Sequence, residues 1–122
     1  MGKYKRDSLD LVITSLRDSI VLTSNASLAL CWIVELLVSI KALESGKQGE
    51  FIFTTRDARR AMELSYSTNK VVSALIHYRN MYVHTGRFIA NHTSLDLKAI
   101  QTFANKYCNV YIDFSSKTFD TV

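Results

Sequence analysis

Side chains able to move protons or hold an anion are concentrated in one segment of the chain, His77-Tyr78-Arg79-Asn80-Met81-Tyr82-Val83-His84-Thr85-Gly86-Arg87. Histidine titrates near neutrality and can serve as acid or base. Arginine presents a rigid, permanently charged fork that matches the oxygens of a phosphate or a carboxylate. An asparagine four residues before a histidine shares its face on a helix and can hydrogen-bond the imidazole or a bound anion.

At about 100° per residue, Val71, Leu75, Tyr78 and Tyr82 gather on one side of a helical wheel as a core stripe, with His77, Asn80 and His84 on the far side. Arg79 falls between the two groups, flanked by Val72, Leu75, Ile76 and Val83. A guanidinium with apolar neighbours needs a partner, an interface or a polar ligand, because an unpaired buried charge is costly. Purely structural tasks are open to the same residues. Arg79 can pair with Asp18 or Glu35 inside the fold, His84 can cap the last carbonyls of its helix, and Asn80 can be a solvated polar residue.

Arg79-Asn80-x-x-x-His84 resembles the Arg-polar-x-x-x-His signature of the HEPN superfamily of small helical ribonucleases and nucleotide-binding domains. With seven arginines and three histidines in 122 residues, the pattern arises by chance on the order of once in fifty such chains. In that family the motif ends a helix in the third quarter of a short all-helical domain, and residues 79–84 hold the same place here. The resemblance implies a metal-independent endoribonuclease that cleaves single-stranded RNA by attack of the adjacent 2′-hydroxyl, leaving a 2′,3′-cyclic phosphate and a 5′-hydroxyl. Arg79 would then stabilise charge on phosphorus, His84 would transfer protons and Asn80 would position one or both. Flanking residues His77 and Arg87 are candidate RNA contacts.

Acid and base call for two proton carriers, and the motif supplies one histidine per chain. A two-fold homodimer resolves this by lining one cleft with two copies of the site, and Ile76 and Val83 beside the polar group suit its interface. The implied mechanism calls for no cofactor and no metal. Domains of this family often act as toxins or antiviral-defence effectors, so a cognate antitoxin, of nucleotidyltransferase type or another, is an expected partner. The tyrosine that some such toxins carry two residues after the histidine is replaced here by Gly86, which removes control through modification at that position. Other family members bind nucleotide or protein and cut nothing, so a non-catalytic HEPN-like dimerisation or binding module is the alternative.

The elements that must position this segment are legible in composition and spacing. Zero prolines, four glycines and 48% hydrophobic residues favour long helices in one domain spanning 1–122, an all-α, four- to five-helix up-and-down bundle of HEPN-like layout. Leu9, Ile13, Leu16 and Ile20 place a first helix over about 8–23. A second, over about 26–44, is apolar nearly all round and belongs at the centre of a bundle. Thr23-Ser24-Asn25 can cap it, although one long bent helix is also compatible with the pattern. Gly46 and Gly49 mark a loop, Thr54-x-x-Asp57 opens a third helix to about Tyr66, and Ser67-Thr68-Asn69 opens a fourth to about His84 with Gly86 as its C-terminal cap. Thr93-x-x-Asp96 starts the last helix, whose spacing runs through Ile100, Phe103 and Tyr107 to Phe114. Residues 109–114 also alternate in the manner of a short strand. Tyr107, Tyr111 and Phe114 read as core.

The net charge of +4 is shared evenly, nine basic and seven acidic groups over 1–60 and six and four over 61–122, so no basic tail marks a polyanion site. Cys31 and Cys108 are too few for a disulfide scaffold and read as buried thiols in a reducing compartment. The scattered histidines and separated cysteines have no metal-ligand spacing, and Gly46 and Gly49 lack a phosphate-loop pattern. Early charges interrupt any signal-peptide core, and Arg6 stands where a myristoylation motif needs Ser or Thr. The apolar run Leu28 to Leu43 contains Glu35 and Lys41 and falls short of the ~20 residues a membrane span needs. A cytoplasmic protein without a membrane partner is the expectation.

Overall fold

The computed structural model of the protein describes residues 3–4, 6–45, 53–85 and 95–119. Within them the chain is an all-α bundle of five helices: α1 (Arg6–Leu22), α2 (Ala26–Ser45), α3 (Thr55–Ser65), α4 (Lys70–Thr85) and α5 (Leu97–Cys108). Two short segments, β1 (Lys3–Tyr4) and β2 (Phe53–Thr54), pair antiparallel with Lys3 opposite Thr54 and Tyr4 opposite Phe53. They tie the start of α1 to the start of α3.

Helix α2 is the axis of the bundle and touches each of the other four helices. Its apolar circumference is used on all sides, with Leu30, Ile33, Val34, Leu36, Leu37 and Val38 each no more than 1% exposed. Around it lie Leu9, Ile13 and Ile20 of α1, Ala58 and Met62 of α3, Val72, Leu75 and Tyr78 of α4, and Ile100 and Phe103 of α5. By length and composition alone α2 could cross a membrane, but 67% of its most apolar stretch is buried inside the bundle. The helical surroundings that bury it are what its apolarity answers to.

Helices α1 and α2 are separate, which the sequence left open. Asn25 is the cap: its side-chain oxygen accepts from Leu28 N–H at 3.1 Å. The carboxy-terminal segment fixes the same corner from outside. Thr118 N–H donates to Ser24 C=O and Thr118 C=O accepts from Ala26 N–H, both at 2.8 Å. Lys117 Nζ donates to the carbonyls of Val21 at 3.0 Å and Thr23 at 2.5 Å, a cation placed on the exposed carbonyl end of α1.

The other helix starts follow their polar residues. Thr54 caps α3 through Asp57 N–H at 3.1 Å, and Asn69 caps α4 through Val71 and Val72 N–H at 2.9 and 3.2 Å. The cap of α5 is Asp96, accepting from Ala99 N–H at 3.0 Å, so the helix begins three residues later than a Thr93 cap would place it. Thr93, Gly46, Gly49 and Gly86 lie outside the described residues.

Helix α5 also ends early, at Cys108 rather than Phe114. Asn109 turns into the left-handed region at φ 52°, a conformation asparagine tolerates. Beyond it Val110, Ile112 and Phe114 are buried while Tyr111 and Asp113 are exposed, the alternation of an extended segment laid on the core. A 3₁₀ turn, Phe114–Ser116, follows. Tyr111 is 72% exposed and Tyr107 42%, so of the three aromatic residues expected in the core only Phe114 belongs there.

Candidate functional site

Helix α4 carries His77, Arg79, Asn80 and His84, and its two faces part as the periodicity requires. Val72, Leu75 and Tyr78 are buried, and Tyr78 hydroxyl is hydrogen-bonded to Ser27 Oγ of α2 at 2.7 Å. That buried bond joins α4 to α2 beside the apolar contacts of Val72 and Leu75. His77, Asn80 and His84 emerge together on the solvent side. No other side chain among the described residues is bonded to either histidine, so both imidazoles are open to a ligand or a partner. His84 lies in the last turn of α4.

Arg79 takes the intermediate position. Its Nη2 lies 3.2 Å from Glu35 Oε1 on α2, and its Nη1 donates to Asn80 Oδ1 at 3.2 Å. Of the two internal partners open to it in sequence, Glu35 and Asp18, Glu35 is the one used. The same Glu35 oxygen also receives Arg59 Nη2 of α3 at 3.4 Å. Three helices therefore converge on one carboxylate, with side-chain exposures of 22% for Arg79, 28% for Arg59 and 33% for Glu35. At this exposure water screens the pairs, and each contributes at most about 1 kcal/mol to stability.

Arg59 had no distinguishing mark in the sequence. Arg56 and Arg60 beside it are exposed, and only its position three residues before the buried Met62 places it on the inward edge of α3. The expected interface pair also divides. Val83 is 54% exposed and available, whereas Ile76 is packed against the core of its own chain and offers a partner only its outer edge. Arg87, the second expected RNA contact, lies outside the described residues, as does His92.

Comparison with protein-family models, with curated proteins and with solved structures returned no match.

Cys31 lies one turn before Glu35 on α2. Burial pushes its thiol up to about 11, against the opposing influence of the Arg79 charge and with a smaller contribution from Glu35. Burial likewise pushes Cys108 up to about 12, while Arg17 acts in the other direction. Both cysteines are free and buried. They are inert packing thiols rather than nucleophiles, since the thiolate is the reactive species. Iodoacetamide at pH 8 is expected to label neither in the native protein and both in urea. The raised values also give a sign: above pH 9 the unfolded chain loses thiol protons that the folded chain retains, so stability falls as pH climbs from about 9 towards 11–12. Rapid native-state labelling, or stability flat over that range, would contradict this placement.

Among the described residues no group of three or more His, Cys, Asp or Glu side chains could hold a metal ion. A shallow concavity of about 420 Å³ lies on the outer face of α5, lined by Lys98, Thr102, Phe103, Lys106 and Tyr107 among others. It includes none of the α4 residues.

Proposed function

We propose that this protein is a metal-independent endoribonuclease of the HEPN type, acting as a homodimer on single-stranded RNA, with a toxin or antiviral-defence role. The observation that carries the reading is the arrangement on the last two turns of α4. An arginine in contact with the next residue, Asn80, is followed one turn later by a solvent-facing histidine that bonds no side chain among the described residues.

The chemistry follows from these groups. The RNA 2′-hydroxyl attacks the adjacent phosphorus while one His84 imidazole accepts its proton. The bond from phosphorus to the 5′-oxygen breaks, and the leaving oxygen takes a proton from the imidazolium of the second copy. Arg79 meets the non-bridging oxygens, and its hold strengthens as charge builds on them. Asn80 Oδ1 accepts from Arg79 Nη1 and holds that edge of the guanidinium. Val83, exposed beside His84, supplies apolar surface for the two-fold contact.

The test is incubation with single-stranded RNA in EDTA, with the mass of the protein in solution measured alongside. Expected are a dimer and fragments ending in 2′,3′-cyclic phosphate and 5′-hydroxyl. Intact RNA overturns the reading, and a strictly monomeric species leaves one imidazole for two proton transfers. The alternative, a non-catalytic helical dimerisation or binding module, has one observation in its favour: Arg79 is already paired with Glu35 within the chain. Intact RNA together with a dimer is the result that would select it.

A further inference from the structure

Two guanidinium groups from different helices converge on the same oxygen of Glu35, Arg79 at 3.2 Å and Arg59 at 3.4 Å. One carboxylate cannot neutralise two arginines, so the cluster keeps a net positive charge at the edge of the face that carries Asn80 and His84. Two converging arginines make the donor array that receives a phosphodiester, a monoanion like the carboxylate whose single charge is shared by two non-bridging oxygens. We propose that Arg59 is the second guanidinium of the anion site at Arg79, and that Glu35 is a built-in anion that fills the site until an RNA phosphate displaces it. The identity of the anion rests on the nuclease reading above; the site itself rests on the geometry.

Displacement is feasible because none of the three side chains is sealed in. Each retains between about a fifth and a third of its surface, and such pairs are held weakly against water and competing ions. Asn80 is already bonded to Arg79 Nη1, so the fork stays oriented when Nη2 exchanges partners. The arrangement also answers the cost of leaving a half-buried guanidinium unpaired in the empty protein. Arg56 and Arg60, on the same helix and equally charged, are exposed and take no part.

The proposal is tested by anisotropy with a fluorescent 2′-O-methyl oligoribonucleotide, which cannot be cut, at fixed ionic strength. Glu35→Gln is expected to bind about fivefold more tightly than the natural protein, because the competing anion is gone. Arg59→Ala is expected to bind about tenfold more weakly, with Arg59→Lys in between because ammonium keeps the charge and loses the fork. Arg56→Ala removes the same charge from the same helix and is expected to change binding little. An Arg59→Ala loss no greater than that of Arg56→Ala, or Glu35→Gln binding no tighter than the natural protein, overturns the proposal. If Arg59→Ala does not fold, Arg59→Lys and Glu35→Gln decide the matter alone. Cleavage of ordinary RNA with unchanged Arg59→Ala binding would remove this inference and leave the nuclease reading. Binding shifts as expected, with no cleavage by any variant, would keep the anion site and remove the nuclease. No binding by any variant removes the inference.

Discussion

His84→Ala is expected to lower EDTA-resistant cleavage of single-stranded RNA by at least about a thousandfold, with native thermal stability unchanged. The size follows from the role. A positioned general acid or base contributes about a hundred- to ten-thousandfold, and in a two-fold site the substitution removes both carriers at once. Stability should hold because the side chain is exposed in the last turn of α4 and bonds to no other side chain among the described residues. The natural protein should show a bell-shaped pH profile, since one imidazole must be neutral and the other protonated at the start of the reaction. A His84→Ala protein that cleaves at the natural rate would end the proton-transfer assignment. An unaltered rate in Asn80→Ala would not, because Asn80 touches the guanidinium rather than the reacting atoms.

Most of the fold was legible because two signals agreed along most of the chain. Apolar spacing and capping residues both pointed to helices, and Thr54, Asn69 and Asp96 each hold the backbone N–H groups at the start of one. The sequence could not separate α1 from α2 because half the reason lies about ninety residues away. Thr118 pairs with Ser24 and Ala26 and pins the corner that Asn25 caps. The end of α5 is open in the sequence, between a helix to Phe114 and an alternating segment, for a different reason. Val110 and Phe114 satisfy both helical and alternating spacing, and the decision fell to Asn109, whose left-handed backbone is a tolerance and not a requirement of its residue type.

The site divides in the same way. The separation of His77, Asn80 and His84 from the core stripe is a property of one helix and was legible within it. Which acid meets Arg79 depends on how α2 and α4 are rotated against each other. The buried bond from Tyr78 to Ser27 and the apolar contacts around it join the two helices across about fifty positions, and nothing local announces them. Arg59 was invisible for the same reason: its contact with Glu35 spans 24 positions and two helices. Helical spacing places Ile76 between the stripes and so leaves its direction open, and packing against the core takes most of its surface.

Leu37→Ala should destabilise the protein by about 3–5 kcal/mol, with urea unfolding as the measurement. Leu37 is 1% exposed and lies on the one helix that every other helix touches, so its loss removes buried methyl groups and leaves a cavity no single neighbour can close. Leu11→Ala is the matched control. That leucine is 75% exposed on α1, and its removal should shift stability by no more than about 0.5 kcal/mol. The pair also bears on what α2 is for. If its apolar surface served a bilayer, Leu37 would contribute nothing to the unfolding of the bundle in water, and Glu35 with its two arginines would have to be carried into hydrocarbon. A Leu37→Ala loss of less than about 1 kcal/mol would therefore contradict α2 as the core axis. It would also undo the geometry on which Arg59, Arg79 and Glu35 meet, because only α2 at the centre of the bundle brings α3 and α4 to the same carboxylate.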